Sequence, residues 1–227
     1  MATGMTTIEG PFLLHEAIAG GVRVHEIFAL PSDDEAGLAA ENAGIGVTEV
    51  SVDVLERLST SVTPRGPVAV VDIPKPTPIA ATDSVVLWEI ADPGNVGTVI
   101  RTAAAFGFQV IATKGSVDLW APKVIRSGVG GHFRTPLVEN VEPSLDSITE
   151  AGLVPLATAA DGVDIGTVDL TDSAPAAFIV GNEAHGLPSA LTSRATTLAL
   201  SMPGGTESLN AAVTAGIFMY LRMSQRS

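Results

Sequence analysis

Residues 92–101 read Asp-Pro-Gly-Asn-Val-Gly-Thr-Val-Ile-Arg and directly follow the apolar run at residues 85–91. Pro93 and Gly94 are typical of the end of a strand, and Asn95 is a residue type that caps helices. The helix that follows is predicted to bury one apolar stripe, formed by Val96, Val99, Ile100 and Ala103. A buried strand that passes directly into a helix predicts an α/β fold with a parallel sheet, in which ligands bind where strands lead into helices.

Two later strand-to-helix junctions have a similar character. Residues 178–187 read Phe-Ile-Val-Gly-Asn-Glu-Ala-His-Gly-Leu, which leaves backbone amides and a carboxylate at the edge of the sheet, where they can hold a polar ligand. Residues 202–210 read Met-Pro-Gly-Gly-Thr-Glu-Ser-Leu-Asn, a compact loop in which we expect Ser208 to cap the last helix. Taken singly, these features favour structural roles: Glu183 stabilises a helix N-terminus and Arg101 is a solvated surface charge.

The same alternation of strands and helices extends over two segments, separated by residues 74–78, Pro-Lys-Pro-Thr-Pro. Three prolines in five residues predict a stiff linker, so we expect a small α/β domain at 1–74, a linker at 75–83 and a larger α/β domain at 84–227. In the first domain the predicted strands are 24–30, 47–52 and 68–73, and the predicted helices are 11–19, 34–43 and 53–58. In the second the predicted strands are 85–91, 109–112, 153–158, 177–181 and 198–202, and the predicted helices are 95–106, 122–128, 145–151, 187–194 and 208–225. The last helix shows an apolar face formed by Leu209, Val213, Gly216, Ile217, Tyr220 and Leu221.

The composition excludes several kinds of chemistry. The chain has no cysteine, which rules out disulfides, thiolate zinc sites, iron–sulfur clusters and a cysteine nucleophile. Its four histidines are scattered without metal-ligand spacing, so we expect no metal. The sequence also lacks the phosphate-binding P-loop, the dinucleotide-binding glycine pattern and the hydrolase nucleophile elbow. No secretory signal is visible and the longest apolar stretch, 211–221, is too short to span a bilayer, so we expect a cytoplasmic protein with no membrane partner.

The charge is unevenly distributed along the chain. The net charge is −13, which by itself disfavours a nucleic-acid partner. Residues 93–138, however, hold five cations and one acid, a balance of +4 that leaves −17 for the rest. An acidic body with one basic tract predicts a focused anion site, although chance and solubility explain the pattern equally well.

Together and in this order, the three loops resemble the motifs of the SpoU (TrmH-type) RNA 2′-O-methyltransferases of the SPOUT superfamily. The matching stretches are residues 92–108, 178–187 and 200–210, with 122–136 resembling a further block of the family, so that the resemblance covers about residues 84–226. Ser201 departs from the proline usual in this family. The first segment is similar to the family's substrate-binding domain, which has a ribosomal-protein-L30-like fold, at residues 8–11, 16–17 and 63–69.

This resemblance implies an S-adenosylmethionine-dependent methyltransferase acting on a ribose 2′-hydroxyl. It implies a deep trefoil knot in the C-terminal domain and a homodimer that completes each active site. By resemblance, Arg101 holds a phosphate of the target nucleotide near the 2′-proton. The implied catalytic set is Arg101, Asn95, Glu183, Ser208 and Asn210. The implied cofactor-binding residues are Gly181, Leu200, Met202, Gly204, Gly205 and Leu209, and the candidate RNA contacts are Lys123, Arg126 and Arg134.

The sequence leaves the substrate open. We expect ribosomal RNA first, because a separate L30-like domain resembles the ribosomal branch of the family, and transfer RNA second. A non-catalytic RNA-binding or ribosome-assembly protein on the same fold is a further alternative. An enzyme that acts on a small nucleotide-like substrate is another, and the acidic charge favours it modestly.

Overall fold

A computed structural model describes residues 4–59 and 66–226 of the chain. Residues 63–65 of the segment that resembles the end of the substrate-binding domain lie outside this described part. The described elements form two sheets, which we call the N-terminal lobe (residues 4–72) and the C-terminal lobe (residues 84–226).

The N-terminal lobe is a four-stranded sheet with helices. Its elements are β1 (Met5–Glu9), α1 (Pro11–Ala19), β2 (Val24–Ala29), α2 (Asp34–Ala43), β3 (Val47–Glu49), α3 (Val52–Leu58) and β4 (Val68–Asp72). The strand order is β1-β4-β2-β3, in which only β2 and β3 pair in parallel. Helix α1 begins at a proline, whose fixed φ suits the first helical position, and α2 begins where the Asp33 carboxylate accepts the Ala36 N–H.

The C-terminal lobe is a six-stranded sheet in which every pairing is parallel. Its elements are β5 (Ser84–Trp88), α4 (Pro93–Phe106), β6 (Gln109–Thr113), α5 (Pro122–Gly128), β7 (Leu137–Val141), α6 (Leu145–Glu150), β8 (Val154–Asp164), β9 (Ala176–Gly181), α7 (Ser189–Thr192), β10 (Thr196–Ala199) and α8 (Ala211–Arg226). The strand order is β10-β8-β9-β5-β6-β7. Strands β6 and β7 therefore lie on one side of β5, and the later strands β8, β9 and β10 lie on its other side. The predicted α/β fold with a parallel sheet is confirmed, and the pair β5–β9 is the switch point at which such sheets bind ligands.

Most predicted elements are confirmed to within a few residues, and the differences have local causes. Strands β1 and β7 were not predicted; β7 is an edge strand whose Glu139 and Asn140 interrupt its apolar pattern. Helix α7 is a single turn rather than the predicted 187–194, because residues 182–186 first fold back on themselves in an Asn182–Gly186 bridge. Helix α8 begins at Ala211 rather than near 208.

Two capping predictions were wrong. The carboxylate of Asp92, not Asn95, caps α4 by accepting the Asn95 N–H at 2.8 Å. The side chain of Asn210, not Ser208, caps α8 by accepting the N–H groups of Ala212 at 2.9 Å and Val213 at 3.2 Å.

Apolar side chains pack on both faces of the C-terminal sheet. On one face α4 and α8 cover Phe178, whose ring meets that of Phe218 edge-on at a centroid distance of 5.6 Å. The predicted buried stripe of α4 is confirmed. The apolar face predicted for α8 differs from the face that packs on the core, whose buried residues are Ala212, Ala215, Phe218, Met219 and Arg222. The helix is apolar on more than one side, and periodicity alone selected the side that this chain leaves exposed.

The end of α8 is fastened to the beginning of β5. The guanidinium of Arg222, which is 2% exposed, donates to Asp83 through Nε at 3.1 Å and Nη2 at 3.0 Å. Arg222 also donates to the carbonyls of Leu170 and Ala174. Arg226 adds a second ion pair to Asp83 at 2.7 Å. These contacts fix α8, which begins at the cleft described below. No helix within residues 4–59 and 66–226 is long and apolar enough to cross a membrane.

Candidate functional site

A cleft of about 560 Å³ opens at the carboxyl ends of β9 and β10 and beside the middle of β8, at residues 158–160. Its walls are the end of β9 with the following loop, residues 198–202, residues 207–211 and one side of α8. The predicted site residues in this wall are Gly181, Glu183, Leu200, Met202, Ser208, Leu209 and Asn210. The structure therefore brings together two of the three loops selected from the sequence, while Gly204 and Gly205 lie outside the lining.

Gly181 is required by the backbone of the cleft. A Cβ at this position would lie 2.6 Å from the carbonyl carbon of Gly186 and 2.8 Å from its oxygen. Real Cβ atoms do not approach backbone this closely, so only glycine lets residues 182–186 fold back over the strand end. The loop thereby presents Glu183 at the rim of the cleft.

Asn182 holds this loop, and the sequence analysis did not select it. Its side-chain NH₂ donates to the carbonyl of Glu89 at 2.8 Å, and its oxygen accepts the N–H groups of Ala184 and His185 at 2.9 and 3.3 Å. Asn182 thus joins the ends of β5 and β9. The available signal was an Asn directly after a strand, a residue type that bonds to backbone two residues ahead.

A chain of side-chain hydrogen bonds connects all three loops. The NH₂ of Asn210 donates to the oxygen of Asn95 at 2.8 Å, and the NH₂ of Asn95 donates to Glu183 at 2.7 Å. Because an ionised carboxylate only accepts, Asn95 must turn its NH₂ toward Glu183 and its oxygen toward Asn210. Asn210 must then donate, which leaves its own oxygen for the α8 cap. The orientation of every amide in this relay is fixed from the helix cap to the carboxylate.

Arg101 lies on α4, outside the cleft lining. Its side chain is exposed and forms no hydrogen bond or ion pair with any residue the structure describes. Its backbone is tightly held, because a Cβ on Gly131 would lie 3.0 Å from the Arg101 Cα. The guanidinium is therefore available to an external anion while its attachment point is fixed.

Helix α5 packs directly on α4 and sets its position. A Cβ on Gly97 would meet Ser127 Oγ at 1.8 Å, and that hydroxyl donates to the carbonyl of Pro93 at 2.9 Å. Below this contact His132 is 3% exposed and donates from Nε2 to the carbonyl of Leu119 at 2.8 Å. Burial lowers the pKa of His132 to about 4, so this imidazole is neutral at physiological pH.

The three candidate RNA contacts have different surroundings. Lys123 and Arg126 are exposed and three residues apart on α5, hence on the same side of that helix. Arg134 instead forms a two-point ion pair with Glu16 of the N-terminal lobe, one contact of which measures 2.6 Å. Its assignment as an RNA contact remains a prediction, but the structure gives its guanidinium a carboxylate partner.

The charge of the cleft favours a neutral or cationic ligand. Its described lining residues include two carboxylates, Glu183 and Glu207, and no Lys or Arg. No group of three or more His, Asp or Glu residues within 4–59 and 66–226 is arranged to hold a metal ion. A ligand with a positive sulfur or nitrogen is electrostatically suited to this cleft, and an anion is suited to the Arg101 side of α4.

Comparison with known proteins gives a consistent assignment. Residues 83–220 match the SpoU rRNA Methylase family, and residues 7–77 match a domain described as RNA 2′-O ribose methyltransferase substrate binding. The chain is 34% identical over 228 residues to the 23S rRNA (guanosine(2553)-2′-O)-methyltransferase RlmP of Bacillus subtilis (strain 168), covering 96% of this chain and 88% of that protein.

Two solved structures are similar over nearly the whole chain. The AdoMet-bound rRNA methyltransferase from Sinorhizobium meliloti is 28% identical with a TM-score of 0.85, covering 98% of this chain and 88% of that one. The SpoU methyltransferase AviRb from Streptomyces viridochromogenes, in complex with AdoMet, is 25% identical with a TM-score of 0.85, covering 98% and 91%.

Proposed function

Since this chain belongs to the SpoU rRNA methylase family, we propose that it transfers the methyl group of S-adenosylmethionine to a ribose 2′-hydroxyl of ribosomal RNA. The observation that carries this proposal is the relay from Asn210 through Asn95 to Glu183, which joins all three motif loops at the rim of a cleft suited to a cationic ligand.

The residues of the cleft fit S-adenosylmethionine. Gly181 lets the backbone of Gly186 pack against the strand end and so shapes the loop at one wall, and the apolar side chains of Leu200, Met202 and Leu209 surround the space. The carboxylates at the rim complement the positive sulfonium of the cofactor. When bound, the cofactor supplies an activated methyl group, so the chain's own residues need only align the attacking oxygen and assist its deprotonation.

Arg101 is the residue proposed to hold the substrate. A guanidinium can bind a phosphate through two parallel hydrogen bonds, and here it has no competing partner among the described residues. A phosphate held in this way lies near the 2′-hydroxyl of its own nucleotide and helps to draw off the proton. Asn95 and Glu183 orient the ribose, while Ser208 and Asn210 shape the loop next to it.

The path proposed for the RNA backbone follows α4 and α5. Arg101, Lys123 and Arg126 are exposed on these two packed helices, within the segment that carries the local positive balance. Residues 1–74 hold eleven acids against three Lys and Arg, so the N-terminal lobe contributes little general attraction for phosphate. Ribosomal RNA is favoured because RlmP, similar over 96% of this chain, is named for 23S rRNA.

We also propose that two copies of the chain associate through α8. Val213 and Tyr220 on α8 are 50% and 52% exposed, Leu209 in the loop before the helix is 42% exposed, and the Tyr220 ring lies 6.0 Å from that of Phe106 on α4. These residues belong to the apolar face predicted for the last helix, and a second copy would bury them. The family resemblance likewise supports a trefoil knot at the C-terminal end and an L30-like N-terminal fold. Sedimentation of Tyr220→Glu beside the unaltered protein tests the association.

The substrate is tested by incubating the protein with methyl-labelled S-adenosylmethionine and unmodified ribosomal RNA, transfer RNA or free nucleotides. We expect label in ribosomal RNA, mapped to one 2′-oxygen by resistance of the adjacent bond to alkaline cleavage. Label in transfer RNA alone would show that transfer RNA, and not ribosomal RNA, is the substrate. Label in free nucleotides would support an enzyme that acts on a small nucleotide-like substrate. Cofactor binding without transfer to any of them would support a non-catalytic RNA-binding role.

A further inference from the structure

The two lobes are joined by an ion pair in which the carboxylate is buried and the guanidinium is exposed. Glu16 on α1 is 5% exposed, whereas its partner Arg134 is 64% exposed on its side chain. Both carboxylate oxygens accept from the guanidinium, one from Nε and the other from Nη2. A buried carboxylate needs such a partner, because an unpaired charge away from water is strongly destabilising. Arg134 is therefore the residue that makes burial of Glu16 possible.

The two lobes are closely packed around this pair. A Cβ on Gly130 would lie 2.7 Å from Glu16 Cγ, and a Cβ on Gly20 would lie 3.0 Å from Phe133 Cβ. A second contact is made where Thr6 Oγ1 donates to the carbonyl of Trp120 at 2.9 Å. The contact between the lobes is thus close-packed at α1 and hydrogen-bonded at β1.

The segment that receives Glu16 is also the segment that abuts the proposed substrate-holding residue. The 3₁₀ turn Gly131–Phe133 lies between Arg134 and α4, and its Gly131 packs against the Arg101 backbone. Helix α1 is therefore connected to the Arg101 backbone by one ion pair and one short turn.

We propose that Glu16 and Arg134 are positioning residues, which hold the N-terminal lobe in one fixed orientation relative to Arg101 of the same chain throughout methyl transfer. RNA bound by the N-terminal lobe is then presented to Arg101 at a fixed distance. This inference rests on the proposed function for its kinetic consequence, but the rigid attachment of the lobes can be measured without any activity.

Glu16→Gln separates this role from a direct RNA contact of Arg134. The substitution keeps the side-chain volume, removes the ion pair and leaves the guanidinium available. Under the proposal the KM for RNA rises about tenfold, because a loosened lobe lowers the effective concentration of its bound RNA at the site. The kcat at saturating RNA and the Kd for S-adenosylmethionine stay within about twofold, since a rigid-body link adds no group to the chemistry. An unchanged KM for RNA would overturn the proposal, and a lower KM would in addition indicate that the released Arg134 guanidinium contacts phosphate.

Glu35→Gln is the matched control, because Glu35 is an exposed acid on α2 in the same lobe. It removes the same charge and leaves the lobe contact intact, so we expect no rise in KM. Subtilisin digestion supplies a readout independent of activity. Glu16→Gln should be cut faster than Glu35→Gln in the linker at residues 75–83, and equal rates would contradict a loosened lobe.

A disulfide tests rigidity directly, and the chain has no native cysteine to interfere. Gly20→Cys with Phe133→Cys places two Cβ atoms 3.0 Å apart, so closing the disulfide requires a small local separation to reach the roughly 3.5–4.5 Å found in disulfides. We expect the oxidised double variant to retain its kcat/KM for RNA within about twofold of its reduced form. When the same cysteine pair is combined with Glu16→Gln, oxidation should return the raised KM for RNA to the value of the unaltered protein. Loss of activity on oxidation, regained with reductant, would show that the lobe must move and overturn the proposal. Absence of methyl transfer by the unaltered protein would count against the proposed function alone, because cross-linking and digestion still report on the lobes.

Discussion

Replacing Arg222 by methionine should destabilise the protein far more than the same change at Arg226. Arg222 is 2% exposed and makes four hydrogen bonds, to Asp83 twice and to two carbonyls. Removing one partner of a buried pair costs about 3–5 kcal/mol. Asp83 retains Arg226 and the Ala176 N–H, so we expect about 3 kcal/mol, or roughly 6–12 °C in Tm for a chain of this size.

Arg226→Met is the matched control, because the Arg226 side chain is 39% exposed and pairs with the same carboxylate. Exposed pairs contribute about 1 kcal/mol or less, so its Tm should fall by roughly 4 °C at most. Circular dichroism melts at one scan rate compare the two variants. The Asp83→Leu/Arg222→Met double variant should recover part of the loss, since it leaves no buried unpaired charge and the Arg226 it frees is 39% exposed. Equal melting temperatures for the two single variants would refute the reasoning.

The same ion pair has a pH signature. Burial acts to raise the pKa of Asp83, but hydrogen bonds from Arg222, Ala176 and Arg226 together hold it below the usual 3.8. A carboxyl whose pKa is lowered by folding stabilises the fold at pH values above its unfolded pKa, and this stabilisation is lost as the pH falls through the folded value. In Arg222→Met, the free energy of unfolding should therefore decrease less steeply with falling pH below about pH 4 than it does in the unaltered protein.

Three further predictions concern the buried His132, the wall of the cleft at Gly181 and the exposed Lys123. Because the pKa of His132 is lowered to about 4, the unfolded chain binds a proton between pH 6.5 and 4 that the folded chain does not. Stability should fall by about 3 kcal/mol over that range, and denaturation midpoints of His132→Gln should lack this slope. Gly181→Ala should weaken S-adenosylmethionine binding about tenfold or more by calorimetry, because its Cβ strikes the Gly186 backbone. Gly204→Ala, with no atom within 4 Å of its Cβ, should bind the cofactor normally, and equal losses would rule out the steric explanation. Lys123→Ala should reduce the slope of log affinity for RNA against log salt by about 1, whereas an unchanged slope would exclude a phosphate contact.

Local patterns predicted the C-terminal sheet well because its strands are buried on both faces. Strands β5 and β6 are buried at every position and are followed by glycine or proline punctuation, so run length and turn residues located them. Edge strand β7 carries polar residues and gave no such signal. Periodicity located an apolar stripe on α8, but it cannot distinguish burial in the chain's own core from exposure to solvent, and the buried residues of this helix lie on another side.

The candidate site was predictable as a set of loops but not as a network. Family resemblance selected Asn95, Glu183 and Asn210, and the structure places all three in one hydrogen-bonded relay. Asn95 is 88 residues from Glu183 and 115 residues from Asn210 in sequence. No local pattern specifies how such distant loops meet, so the order of the hydrogen bonds could not be predicted. The ion pair of Arg134 was not foreseen for the same reason, since Glu16 is 118 residues away.

The most direct test of the proposed function is Arg101→Ala, measured both for methyl transfer to ribosomal RNA and for S-adenosylmethionine affinity. Arg101 is exposed, lies outside the cofactor cleft and has no partner among the described residues, so its loss should leave the fold and the cofactor Kd nearly unchanged. We expect methyl transfer to fall by at least about 100-fold, since positioning of a reacting group typically contributes that much or more. Methyl transfer that persists near the unaltered rate, or that falls only in proportion to lost cofactor binding, would contradict the assignment of Arg101 as the residue that holds the substrate.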